Sequence, residues 1–155
     1  MPDMPAPGDR APDFSGTDQT GQTVSLSDFA GRTLALYFYP KDDTPGCTTQ
    51  ACNLRDGSDD LAEAGVAVVG VSPDDAASHG RFAGKYALGF PLLADPDRTI
   101  LEAYGAWGEK TLYGRTSVGV KRTTFLIGPD GHVVHVFKRP KTADHTAEIL
   151  SKLPQ

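Results

Sequence analysis

The chain has 155 residues, 39% hydrophobic and 23% charged, enough for one domain, 1–155, with its own core. Its formal charge of −5 and pI near 5.2, without a basic cluster, argue against nucleic acid or an anionic membrane as partner. No apolar run approaches the roughly 20 residues of a membrane helix, and the opening MPDMPAPGDRAPDF carries no basic leader, so a cytoplasmic location is expected.

Residues 1–12, with Pro2, Pro5, Pro7 and Pro12, read as an extended lead-in, loosest over 1–7. Asp18 to Gly21 reads as a turn, and Thr23, Val24 and Leu26 as a short strand at best. LALYFY (34–39) is a continuous run of β-formers ending at Pro40, the pattern of a buried strand. Pro45 to Ala64 reads as one helix, weakened at Asp56-Gly57-Ser58. VAVVGVS (66–72) is a second buried strand. The next helix, with Ser72 or Asp74 as cap, has an apolar face of Ala77, Phe82 and Tyr86. PLLA (91–94) is a third strand, and Thr99 to Tyr104 a brief helix. From Gly105 to Gly119 periodicity is lost. RTTFLIG (122–128) and HVVHVFK (132–138) flank Pro129-Asp130-Gly131, a hairpin signal. A terminal helix over Thr142 to Leu153 presents Ala143, Ala147 and Leu150. Strand–helix alternation followed by a hairpin and helix predicts an α/β fold, a mixed sheet with helices on both faces.

The chemistry concentrates in YPKDDTPGCTTQACNLRD (39–56). Thr44 followed by Pro45 signals a helix start, a hydroxyl N-cap and then proline at the first helical position. Cys47 then falls in the first turn, where unpaired N–H groups and the helix dipole favour a thiolate. Asp42 and Asp43 oppose this by like-charge repulsion, and Lys41 offsets them. At 100° per residue, Cys47, Ala51, Leu54, Ser58 and Leu61 fall within about 40° of one line, the expected core stripe. Cys52 lies about 140° around the helix, its Cα about 8.7 Å from that of Cys47. A disulfide needs about 7 Å or less, so the pair joins only if the helix unwinds. A helical cysteine is more often a small core hydrophobe. A first-turn thiol after Thr-Pro-Gly, with a second thiol five residues on, sets beside that a second reading, a reactive thiolate oxidised to a sulfenic acid and captured by the second cysteine, and the spacing alone leaves both open.

FYPKDDTPGCTTQAC resembles the active-site segment of peroxiredoxins, with Pro40, Thr44 and Cys47 at the motif positions, and the second cysteine resembles the peroxiredoxin Q (bacterioferritin-comigratory protein) subgroup. GDRAPDF (8–14), LRDGSDDL (54–61), GVSPD (70–74), FPLLAD (90–95), YGAWGEK (104–110), RTTFLIGPDGHVVHVF (122–137) and KTADH (141–145) extend the likeness over nearly the whole chain. The resemblance implies a thioredoxin-like fold and a thiol peroxidase that reduces hydrogen peroxide and organic hydroperoxides. In it Cys47 is the peroxidatic cysteine, Cys52 the resolving one through a Cys47–Cys52 disulfide, and Thr44 a hydrogen-bond partner of the peroxide. Pro40 shields the pocket, Arg122 is the active-site arginine, and Gly46 shares in substrate binding. The implied reductant is thioredoxin or a similar dithiol, the implied state a monomer, and no cofactor is required. From the residues alone, Arg122 beside Phe125, Leu126 and Ile127 is either a buried cation with an anionic partner or an exposed strand end. Gln50 departs from the glutamate common in the subgroup, which touches the tuning of the site.

His79, His132, His135 and His145 form no metal pattern. His132 and His135, three apart on a strand, point to opposite faces, and no metal is expected. Trp107 reads equally as loop packing or a partner surface. An alternative to the enzyme is a redox-switched thioredoxin-like binding module without turnover. A dithiol–disulfide oxidoreductase is weaker, since such enzymes usually separate their cysteines by two residues.

Overall fold

The computed structural model describes residues 4–112 and 114–153. Nine strands and five α-helices occur among them. They are β1 (Ser15–Thr17), β2 (Thr23–Ser25), β3 (Thr33–Phe38), α1 (Pro45–Asp56), α2 (Ser58–Glu63), β4 (Val66–Ser72), α3 (Ala76–Tyr86), β5 (Leu92–Ala94), α4 (Thr99–Ala103), β6 (Trp107–Leu112), β7 (Arg115–Val120), β8 (Thr123–Ile127), β9 (Val133–Phe137) and α5 (His145–Ser151). Seven strands form one sheet in the order β2-β1-β5-β4-β3-β8-β9. β3, β4 and β5 run parallel, and β8 pairs antiparallel with β3 through Leu34–Ile127 to Phe38–Thr123. The C-terminal end of β3 and the start of β8 therefore lie side by side at one end of the sheet.

β3 is buried on both faces. Leu34, Leu36 and Phe38 join one apolar cluster with Val69, Val71, Tyr104 and Phe125. Ala35 and Tyr37 point the other way, into a cluster with Cys47, Ala51, Leu54, Leu126 and Ile149. That two-sided burial explains why the strand reads as an unbroken apolar run.

Several expectations change. The helix expected over 45–64 breaks at Gly57, where a Cβ would stand 2.3 Å from Thr146 Cγ2, so only glycine lets α5 pack there. The break leaves Ser58 exposed, off its expected stripe, although Leu61 is buried. The cap of α3 is Asp75, whose side chain accepts from the Ser78 amide at 2.8 Å, rather than Ser72 or Asp74. The terminal helix begins at His145 and buries His145, Thr146 and Ile149, while Ala143 and Ala147 are exposed. The glycine-rich stretch folds as the β6–β7 hairpin. Glu109, Lys110 and Arg115 to Val118 are exposed, so neither face leaves an apolar alternation to read. Trp107 opens that hairpin under the Arg98 guanidinium, 4.7 Å from its ring, which gives it a packing role. The lead-in from Met4 is docked, not loose: Met4 packs against the apolar core, Pro5 is buried, and the Gly8 amide donates to the Val133 carbonyl at 2.8 Å. Met1 to Asp3 lie outside the described residues.

Candidate active site

Helix α1 starts as its sequence predicts, with Thr44 in extended backbone as N-cap and Pro45 first. The first intrahelical bond runs from the Thr48 amide to the Thr44 carbonyl at 2.8 Å, leaving the amides of Gly46 and Cys47 ahead of it. The Thr44 hydroxyl does not cap the helix. It donates to the Lys41 carbonyl at 2.8 Å, which leaves its lone pairs as acceptors. Cys47 is 1% exposed, its thiol on the α1 face that packs against β3.

Arg122 closes the site from the start of β8, one residue before the strand. Its Nη2 donates to Cys47 Sγ at 3.3 Å and its Nη1 to Gln50 Oε1 at 2.7 Å. Of the two readings open from the sequence, the half-buried cation with a partner is the one observed. Gly46 makes room for it: a Cβ there would stand 3.1 Å from Nη2. At the site, Gln50 Nε2 and the Tyr37 hydroxyl are buried without a hydrogen-bond partner among the described residues. Burial first, then the negative charge of Cys47 and Asp42, push Tyr37 well above the ordinary phenol value, so it stays protonated. The sequence hides Tyr37 inside an apolar strand, and Gln50 stands out only as a departure from the subgroup.

Asp42 and Asp43 are not left free beside the thiol as the sequence suggests, because each is engaged by a side chain of α3. Asp42 Oδ2 lies 2.6 Å from His79 Nδ1, and Asp43 Oδ2 accepts from Lys85 Nζ at 2.8 Å. Burial pushes Asp42 up, but hydrogen bonds from His79, Tyr39 and Ser78 outweigh it and hold the carboxyl below the usual range. Asp43 takes a left-handed φ of 58° and also accepts from the Tyr86 hydroxyl at 2.7 Å. Cys52 is half-buried and, like Cys47, a free thiol. Both sit on one continuous helix, so their Cα atoms are about 8.7 Å apart, beyond disulfide reach. Pro40 is half-buried where β3 leads into the loop. Among the described residues no cluster of three or more His, Cys, Asp or Glu side chains could hold a metal.

A thiol at a helix N-terminus, under an arginine held by a neutral amide, is a site for attack by sulfur on a polarised electrophile. The description of the AhpC/TSA family matches residues 7–136. The chain belongs to that family, the peroxiredoxins. It is 49% identical to Peroxiredoxin Bcp of Escherichia coli over 148 residues, covering 96% of this chain and 95% of the relative. With Peroxiredoxin Bcp of Bacillus subtilis it shares 43% over 146 residues, 94% and 93% of the two chains. The solved structure of a Xylella fastidiosa PrxQ mutant superposes with a TM-score of 0.88 at 33% identity, over 96% and 94% of the chains. Xanthomonas campestris Peroxiredoxin Q gives 0.83 at 36%, over 89% and 87%. The fold of this peroxiredoxin is thus thioredoxin-like, as the resemblance implied, and its activity is that of a thiol peroxidase.

Proposed function

We propose that this peroxiredoxin reduces hydrogen peroxide and organic hydroperoxides through Cys47, with Cys52 as resolving cysteine and thioredoxin or a similar dithiol as reductant. The 3.3 Å contact between Arg122 Nη2 and Cys47 Sγ carries the reading. A solved Xanthomonas campestris bacterioferritin comigratory protein is described in terms of alkyl peroxide reduction, which supports the wider substrate range. The Cys47 thiolate attacks one peroxide oxygen, the O–O bond breaks, and the other oxygen leaves as water or alcohol after taking a proton. Sulfur gains the oxygen as a sulfenic acid. Negative charge moves from sulfur to the departing oxygen, and Arg122 with the amides of Gly46 and Cys47 can follow it. Thr44 accepts from the peroxide O–H and orients the O–O bond, while Pro40 shields the pocket. Gly46 contributes the lack of a side chain, which lets Arg122 and peroxide share the space.

Resolution requires α1 to unwind. Gly46, Thr48 and Thr49 are poor helix formers, and the Thr49 hydroxyl bonds back to the Pro45 carbonyl at 2.9 Å, a contact that weakens helices. The Cys52 thiolate then attacks the sulfenic sulfur, water leaves, and the Cys47–Cys52 disulfide passes to the dithiol reductant. The protein acts as one domain over 1–155, as a monomer, in the cytoplasm. No helix among the described residues is long and apolar enough to cross a membrane. Cys47→Ser tests the assignment by abolishing turnover, whereas Cys52→Ser still forms one sulfenic acid but recycles poorly with thioredoxin. Full turnover by Cys47→Ser overturns it.

A further inference from the structure

The loop over residues 40–44 fixes where α1 begins, and so where Thr44 and Cys47 stand. Besides the exposed bonds of Asp43 to Lys85 and Tyr86, a buried polar cluster holds it to the rest of the fold. Asp42 is 8% exposed and His79, on α3, is 0% exposed. Asp42 Oδ1 accepts from the Tyr39 hydroxyl at 2.6 Å, and Oδ2 accepts from the Ser78 hydroxyl at 2.8 Å and faces His79 Nδ1 at 2.6 Å. The Asp42 amide donates to Asp74 Oδ2 at 2.7 Å. On its far side His79 Nε2 lies 3.0 Å from the Leu93 carbonyl on β5.

The proton count follows from chemistry. A backbone carbonyl only accepts, so Nε2 carries a hydrogen. Nδ1 faces a carboxylate oxygen that already accepts from Ser78, so a ring with hydrogens on both nitrogens satisfies every partner. The charged and polar groups facing this ring are Asp42 from the loop, Tyr39 from the end of β3, Ser78 from α3 and the Leu93 carbonyl from β5, with Asp74 behind Asp42. Among the described residues, the full countercharge in contact with the ring is Asp42.

We propose that His79 is a positioning residue for peroxide reduction: as a buried imidazolium it anchors Asp42, and through Asp42 it fixes the loop that presents Thr44 and the N-terminus of the Cys47 helix. It touches neither thiol nor peroxide. Removing one partner of a buried pair leaves the other charge uncompensated, which costs far more than the intact pair contributes; the loop shifts to rehydrate Asp42 and takes Thr44 with it. The proposal rests on Cys47 as the peroxidatic cysteine.

The test combines ring-nitrogen NMR of the reduced full-length chain with single-turnover peroxide kinetics of His79→Gln, Asp42→Asn and the double variant. Two N–H signals for His79 near neutral pH are expected, with one after Asp42→Asn. Each single variant slows peroxide-dependent loss of the Cys47 thiol at least tenfold. The double variant, with two neutral amides able to bond each other, recovers part of that loss, a coupling that separate structural damage does not produce. One ring N–H in the unsubstituted chain overturns the proposal, and so does a near-normal rate in either folded single variant. If His79→Gln does not fold, the NMR count and Asp42→Asn decide. Cys47→Ser leaves the ring signals unchanged, so failure of the peroxidase assignment is distinguishable from failure of this one.

Discussion

Replacing Arg122 with Met removes the guanidinium in contact with the reacting sulfur while keeping much of the side chain's apolar length. At 3.3 Å and an effective dielectric constant of about 20, a guanidinium and a thiolate attract by about 5 kcal/mol. Arg122 is only half-buried, so solvent screens part of this, and a charge-assisted hydrogen bond contributes about 2–3 kcal/mol net. If that stabilisation extends to the transition state, the second-order rate constant for peroxide falls by about 30- to 150-fold. Arg122→Lys keeps the charge but loses the second prong on Gln50, 2.7 Å away, and falls between Met and arginine. Stopped-flow measurement of thiol loss under single-turnover conditions reads this step apart from recycling. A rate within threefold of the unsubstituted protein for Arg122→Met refutes the argument that this contact drives the chemistry.

Further outcomes follow from other contacts. Gly57→Ala drives a Cβ to 2.3 Å from Thr146 Cγ2 and destabilises by about 1–3 kcal/mol, seen as a Tm lower by about 5 °C; an unchanged Tm means the α1–α2 break does not need glycine. His145 is buried between the Thr124 hydroxyl and Glu148. Burial pushes its imidazole down, the Arg122 charge adds to that, and Glu148 opposes it. The unfolded chain therefore binds the His145 proton more readily. The stability this contributes is complete above the unfolded value near 6.5 and is lost as pH falls through the lower folded value. Denaturant titrations should show stability falling from pH 7 towards 5, with a shallower slope in His145→Gln; equal slopes exclude His145 as the source. Cys52→Ser, given excess peroxide without reductant, accumulates sulfinic acid at Cys47 where the unsubstituted chain accumulates disulfide. Equal mass spectra for the two proteins contradict the resolving role.

Much of this was legible because local chemistry and tertiary structure agree. Thr44-Pro45 announces the start of α1, and the apolar runs 34–39 and 66–72 announce the central strands. What escaped depends on contacts between distant segments. Gly57 looks like a mere weak point until Thr146, 89 positions on, is seen to occupy its missing side chain. Asp42 and Asp43 read as repulsive until α3 brings His79 and Lys85 against them. The β6–β7 hairpin is invisible to pattern because both its faces are largely polar. Arg122 could be interpreted only once antiparallel pairing of β3 with β8 set its guanidinium over α1.

The central claim is that Cys47 attacks peroxide and Cys52 resolves the product. Its most direct test is the intact mass of fully reduced protein, quenched within seconds of mixing with one equivalent of hydrogen peroxide. Loss of two hydrogens per chain, mapped to a Cys47–Cys52 bond, is the predicted result. One or two added oxygens with no disulfide contradict the role of Cys52, and an unchanged mass contradicts an activated thiolate at Cys47.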